Sequence, residues 1–208
     1  AMKRREMLVS TGAAFLGLSA FPFRWVAAAE KKQRVLYFTR SAGFEHSVVR
    51  RPEGQLSHSE RVFTELGEKH GFEVECSKDG TLFDGDLDKY DCLAFYTSGN
   101  LLGPSNDGGA PMSAEGKQKL LDAIKAGKPF VGIHAATDTF RSGGIDPFIE
   151  MIGGEFSGHG PQQTATIRIA SPKFPGVQGL GESFDLHEEW YAFRKFNPDM
   201  HVVLVQET

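Results

Sequence analysis

The residues in this chain that could do chemistry are histidines, acids and aromatics set in short polar loops. Gly132-Ile133-His134-Ala135-Ala136 ends an apolar run with an imidazole between small residues. That is the shape of a nucleophile elbow, where a tight turn lifts one side chain above the edge of a sheet. The elbow residue is His rather than Ser or Cys, so covalent acyl transfer through a hydroxyl or thiolate at this point is excluded. An imidazole there can be a general base, general acid, hydrogen-bond donor or metal ligand. The plainer alternative is a histidine bonded into a sheet edge. Asp138, four residues on, can orient His134 or cap the next helix.

Other polar residues stand at comparable places. Thr39-Arg40-Ser41-Ala42-Gly43-Phe44-Glu45-His46-Ser47 holds Arg40 and His46, both able to grip an oxygen-rich ligand, with Phe44 beside them. Its plainer reading is a solvent-facing loop with Ser47 as a helix cap. Thr97-Ser98-Gly99-Asn100 offers an amide. Phe156 to Gln163 places His159 and Gln162 in a flexible turn. Leu186 to Phe193 sets Glu188 and Glu189 beside Trp190 and Tyr191, and aromatic faces next to carboxylates suit a sugar. The same stretch also reads as a strand whose aromatics pack a core. As neighbours on a strand, Glu188 and Glu189 would point to opposite faces and form no glycosidase pair. A two-carboxylate hydrolase would need Asp138 or Glu45 about 5–9 Å from Glu189. A metal could be held by His46, His134, His159 or Glu189, although no dense ligand spacing announces one. His58 and His70 read as surface residues and His201 as structural. HExxH, CxxC, P-loop and GxGxxG patterns are absent from the sequence, so metalloprotease, zinc-ribbon, NTPase and dinucleotide readings lack support. No cofactor is named by these residues.

The elements that must position these groups follow from apolar periodicity. Strands are expected at Arg34–Thr39, Phe72–Cys76, Asp91–Thr97 and Pro129–His134, a fifth at Thr164–Ile169 that is antiparallel or at an edge, and a last at His201–Val205. A helix from Leu56 to Lys69 is expected to turn Leu56, Val62, Phe63 and Leu66 inward, with Gly71 as its stop. A second, capped by Ser113 and running to about Ala126, turns in Leu120, Leu121 and Ile124. Strands alternating with helices imply a flavodoxin-like α/β sandwich on a mostly parallel sheet in the order 2-1-3-4. Ligands of such sheets bind beyond the carboxyl ends of the strands, which is where the loops carrying His46, Asn100 and His134 leave. Cys76 and Cys92 would lie on non-neighbouring strands, as two buried free thiols.

The chain has 208 residues with 40% hydrophobic and 24% charged, enough for one domain and close to soluble averages. Lys3, Arg4 and Arg5, a mostly apolar run from Met7 to Phe23 and Ala27-Ala28-Ala29 form an export signal over residues 1–29. Arg4-Arg5 followed by Met7-Leu8 resembles the twin-arginine type, an ordinary Sec signal being the alternative. The mature part, residues 30–208, is then expected in the periplasm or outside the cell, without stable membrane insertion. Removing the leader takes Lys3, Arg4, Arg5, Arg24 and Glu6 from 23 basic and 27 acidic residues, moving the formal charge from −4 to −7. That balance argues against nucleic acid as a partner; the sequence leaves homo-oligomers open.

Three of these segments, Thr39 to His46, Gly132 to Asp138 and Glu188 to Phe193, resemble in order and spacing the ThuA-like (trehalose-utilisation) family. The likeness covers residues 34–208. It implies a fold like class I glutamine amidotransferases without their cysteine nucleophile, and a role in carbohydrate metabolism around trehalose and related oxidised disaccharides. Carried over by position, His46, His134, Asp138, His159, Glu189 and Tyr191 are its site residues. The chain departs at His159-Gly160 and Phe174-Pro175, where the family shows His-Pro, and at Glu188-Glu189, where it shows Asp-Glu. Family members continue past the last strand, so a C-terminally truncated domain is expected here.

The expected function is an exported carbohydrate-processing hydrolase or isomerase working by His/carboxylate acid–base chemistry. His134, His46, Asp138 and Glu189 would be catalytic, with Arg40, Phe44, Asn100, His159, Gln162, Trp190 and Tyr191 on the sugar. A non-catalytic sugar-binding module and a metal-dependent hydrolase are the alternatives.

Overall fold

The structure is a computed structural model that describes residues 31–105 and 107–207. The expected leader, residues 1–29, lies outside the described residues. Four strands, β1 (Arg34–Phe38), β2 (Glu73–Ser77), β3 (Cys92–Phe95) and β4 (Phe130–Gly132), form one parallel sheet in the order β2-β1-β3-β4. Because side chains alternate across a strand, β1 feeds two cores. Leu36 and Phe38 join Leu93, Phe95, Phe83, Leu120 and Phe148 on one face. Val35 and Tyr37 join Ala94, Phe63 and Val74 on the other. Helix α1 (His58–His70) supplies Phe63 to the second core, while α2 (Ala114–Lys125) and α3 (Pro147–Ile152) supply Leu120 and Phe148 to the first. The result is the three-layer α/β sandwich expected. Cys76 on β2 and Cys92 on β3 are separated by β1, and both thiols are free and half-buried.

The inward face of α1 is not the one its leucines suggest. Leu56, Val62 and Leu66 are exposed, and the helix buries Glu60 and Gly67 instead. A Cβ at Gly67 would stand 2.7 Å from the Phe72 carbonyl oxygen and 2.9 Å from the Val74 side chain, so the missing side chain lets the helix lie directly on the strand below. Glu60 closes a capping box with Ser57, whose backbone N–H donates to it at 2.8 Å. It also accepts from Thr39 Oγ1 at 2.6 Å and from the Arg51 guanidinium at 2.9 Å.

Beyond α3 the chain becomes antiparallel. β5 (Glu155–His159) pairs with β8 (Tyr191–Arg194). β6 (Gln163–Ile169) lies between β7 (Ser183–Glu188) and β9 (Leu204–Glu207). The expected fifth strand is therefore the middle of a separate sheet rather than an edge of the first. His159 is not in a flexible turn but ends β5, in register with Tyr191. Leu186 to Phe193 is not one strand: Glu189 and Trp190 stand between β7 and β8. Among the described residues, no helix is long and apolar enough to cross a membrane.

Burial pushes the Glu60 carboxyl up, but the hydrogen bonds from Arg51, Thr39 and Ser57 outweigh it and hold the group below the ordinary carboxylate range. A lowered folded-state pKa contributes stability that is present above the unfolded value and lost as the pH falls through the folded one. Glu60→Ala should cost about 3 kcal/mol at neutral pH, as removing one member of a buried charge pair does. In denaturant titrations the gap between wild type and variant should close in acid; a gap independent of pH would deny the carboxylate this role.

Candidate active site

Three loops leave the carboxyl ends of β1, β3 and β4, and backbone hydrogen bonds stitch them together. Ala42 and Gly43 donate N–H to the Ser98 carbonyl at 2.9 and 3.2 Å, and Ser98 Oγ donates to the Phe44 carbonyl at 2.6 Å. Gly99 N–H donates to Asp138 O at 3.2 Å, and Phe140 N–H to Gly99 O at 3.0 Å. The loops can approach this closely because Gly99 has φ 72° and no side chain; a Cβ there would lie 2.3 Å from Gly43 N. The seam sets His46, the last loop residue before a one-turn 3₁₀ helix at Ser47–Val49, over the sheet edge. Ser47 opens that turn rather than capping it.

His134 arrives from the other side. Its φ is 45°, left-handed for a non-glycine residue, at the point where β4 gives way to a 3₁₀ turn over His134–Asp138. This is the elbow geometry, with the ring lifted off the strand axis. Close packing behind it depends on Gly132, where a Cβ would lie 2.7 Å from the Ile152 side chain.

The antiparallel half completes the cluster. His134 Nε2 lies 3.2 Å from His46 Nε2, 2.9 Å from Tyr191 Oη and 3.4 Å from Glu189 Oε2. Tyr191 Oη is 3.3 Å from His46 Nε2, and His159 Nε2 is 3.4 Å from the other Glu189 oxygen, Oε1. The His134 and Tyr191 rings lie 4.4 Å apart between centroids. Burial, and then the adjacent His134, lower the His46 pKa and favour its neutral ring. Burial and then Glu189 raise the Tyr191 pKa, and burial pushes Tyr96 up to about 12, so both phenols keep their protons as donors.

Two hollows flank the cluster. A polar one of about 440 Å³ is lined by His46, Tyr96, His134, Gln162, Glu188 and Glu189. An apolar one of about 510 Å³ is walled by Phe184, Leu186, Trp190, Tyr191 and Phe193, and it shares His134, Glu188 and Glu189 with the first. The two glutamates thus line the same space, contrary to the opposite faces expected, because Glu189 has left the strand. Trp190 is fixed by donating its indole N–H to the Gln163 carbonyl at 2.7 Å. Phe44, largely exposed, stands edge-on to His46 at 4.9 Å.

Three expected site residues are elsewhere. Arg40 is fully buried and donates to the carbonyls of Leu101 (3.0 Å), Gly103 (2.7 Å) and Gly109 (3.3 Å). It braces the loop after β3 rather than touching the hollow. Asp138 is buried and paired with Arg141, not with His134; burial raises its pKa, with Arg141 opposing. Asn100 is exposed, its side-chain oxygen accepting from Leu102 N–H at 3.1 Å in a local turn. Glu45 pairs with Arg50 at 2.8 Å. Tyr96, 5.7 Å from both the His46 and the His134 rings, was missed. Its signal was a polar-tipped aromatic at the carboxyl end of an apolar strand.

If Arg40 is a brace, Arg40→Ala should lower unfolding stability by about 3–5 kcal/mol, as exposing buried charge-assisted acceptors does. Lys should not restore it, since a single ammonium cannot span three carbonyls in a planar fork. Chemical denaturation tests this; a variant of unchanged stability would return Arg40 to ligand binding.

A family model for ThuA, described as trehalose utilisation, matches residues 34–208. The fold is similar to a ThuA-like protein from Bacteroides uniformis ATCC 8492, with 19% identity, TM-score 0.64, and coverage of 90% of this chain and 72% of that one. It is similar too to a ThuA-like protein from Parabacteroides merdae ATCC 43184, with 16% identity, TM-score 0.64, and coverage of 85% and 68%. No curated protein matches the chain significantly. With the three-layer fold, the histidine elbow and a family match over nearly all the described residues, the chain belongs to the ThuA trehalose-utilisation family.

Proposed function

We propose that this chain is an exported carbohydrate-processing protein acting on trehalose-like or 3-keto disaccharides by acid–base chemistry, without a Cys or Ser nucleophile. The single observation that carries the reading is the convergence of His46, His134, Tyr191 and Glu189 where two hollows meet. A two-ring substrate suits that layout. One ring lies among the acids and amide of the polar hollow, the other against Trp190 and Phe193, and the reacting atoms sit at the shared wall. Aromatic faces take the C–H side of a pyranose while polar groups take its hydroxyls.

Within this reading His134 or His46 takes or gives the proton at a sugar hydroxyl or the carbon beside a ketone, and Glu189 is the partner acid or base. Tyr191 donates to the oxygen on which charge develops. His159 orients Glu189 through its second oxygen. Asp138 has no part, being held by Arg141. Export rests on the basic and apolar leader of residues 1–29.

Incubating the protein with trehalose, related disaccharides and their 3-keto forms, and following products by NMR, tests the proposal. Turnover is expected, and His134→Ala should slow it about 10²–10⁴-fold, the usual worth of a positioned proton carrier. Tyr191→Phe should keep sugar affinity but lower the rate. Sugar binding without any product would make the site a non-catalytic carbohydrate module; neither binding nor product would remove the sugar reading.

A further inference from the structure

We infer that His46 Nε2, His134 Nε2 and a Glu189 carboxylate oxygen form a site for a divalent first-row cation, zinc by preference, at the ridge between the two hollows. The inference rests on reading this cluster as the reactive centre and adds the ion that centre is built to hold. The first argument is hydrogen-bond capacity. An imidazole nitrogen has either one lone pair or one hydrogen, directed in the ring plane. His134 Nε2 nevertheless has three polar neighbours, at 2.9, 3.2 and 3.4 Å. One lone pair cannot serve three partners. A shared ion satisfies all of them at once, which a single ring hydrogen or lone pair does not.

The second argument is spacing. One ligand atom from each of the three residues lies within 4.8 Å of the others. Metal–ligand bonds of about 2.0–2.1 Å put tetrahedral neighbours about 3.4 Å apart and octahedral neighbours about 3.0 Å apart. The His46–His134 and His134–Glu189 separations, 3.2 and 3.4 Å, span the range between the two geometries, and the wider His46–Glu189 pair, within 4.8 Å, would close as the carboxylate swings onto the ion. Two imidazoles and one carboxylate with a fourth position open is a donor set of catalytic rather than structural zinc.

The third argument is support. Glu189 gives one oxygen to the cluster while His159 Nε2 stands 3.4 Å from the other, the outer contact that orients a ligating carboxylate. Tyr191 Oη, 2.9 and 3.3 Å from the two ring nitrogens, is within reach of the fourth corner and can donate to an oxygen bound there. If the ion is bound, His46, His134 and Glu189 would hold it in place of the proton-carrier roles given them above, the ion would supply polarisation of a sugar oxygen, and Tyr191 would donate to that oxygen.

The test is titration of chelator-treated full-length protein with zinc chloride by calorimetry, and with cobalt chloride by visible absorption. One equivalent should bind, with the intense bands of four-coordinate cobalt. His46→Ala, His134→Ala and Glu189→Gln should each weaken binding at least about 100-fold, and His159→Ala about 10–100-fold, as loss of an outer contact does. His201→Ala, on a histidine outside the cluster, should leave binding unchanged. Thermal unfolding of every variant guards against misfolding. Lack of stoichiometric binding by wild type, or wild-type affinity in His46→Ala and His134→Ala, overturns the inference. Sugar titrations on metal-free and metal-loaded protein separate the two proposals. Sugar binding with no ion uptake removes the metal site alone, whereas ion uptake with no sugar binding in either form removes the sugar reading alone.

Discussion

The cluster depends on one backbone contact, the side-chain-free meeting of Gly43 and Gly99. Loops on neighbouring strands ordinarily keep a side chain's width between them. Here Gly99 holds a left-handed turn, Ser98 accepts from two successive N–H groups, and Thr139 continues the seam, its Oγ1 2.7 Å from that of Thr97. The three loops thereby act as one rigid lip rather than three independent connections. His46 and His134, 88 positions apart, are held 3.2 Å from each other because each is anchored to this lip and not because either ring finds the other.

A second layer of constraint is electrostatic and lies below the lip. Arg40, Lys78 and the side chain of Asp107 are buried, with Lys78 Nζ 3.1 Å from Asp107 and 2.8 Å from the Thr39 carbonyl. Their donors and acceptors are spent on loop backbone, as buried charges require if they are not to cost several kcal/mol each. This separation of tasks keeps a buried charge network apart from the reactive region. The half-buried cluster instead combines a His46 ring held neutral by burial, the protonated phenols of Tyr96 and Tyr191, and the Glu189 carboxylate.

Much of this was legible in the residues. The parallel order 2-1-3-4, the His134 elbow and the convergence of the loops after β1 and β4 follow from apolar runs and turn residues alone. What could not be read is instructive. Arg40 looks like a ligand residue because residue type reports charge, not whether backbone carbonyls will be waiting to satisfy it. Val62 and Leu66 look like core because periodicity cannot see that Gly67 brings the opposite face of the helix onto the sheet. Glu189 reads as part of one continuous strand because the break between β7 and β8 has no Gly or Pro to announce it. Its consequence, two adjacent acids lining one space, appears only once β8 pairs with β5 across the chain.

The left-handed backbone at His134 has a thermodynamic consequence. A side chain at φ 45° carries a penalty that glycine would not, of order 1 kcal/mol. The turn would be easier to fold with glycine in place of His134, so the molecule gives up a little robustness at the position where the imidazole is presented. Selection for thermal hardiness alone would tend to erase that ring and leave a sturdier but inert scaffold.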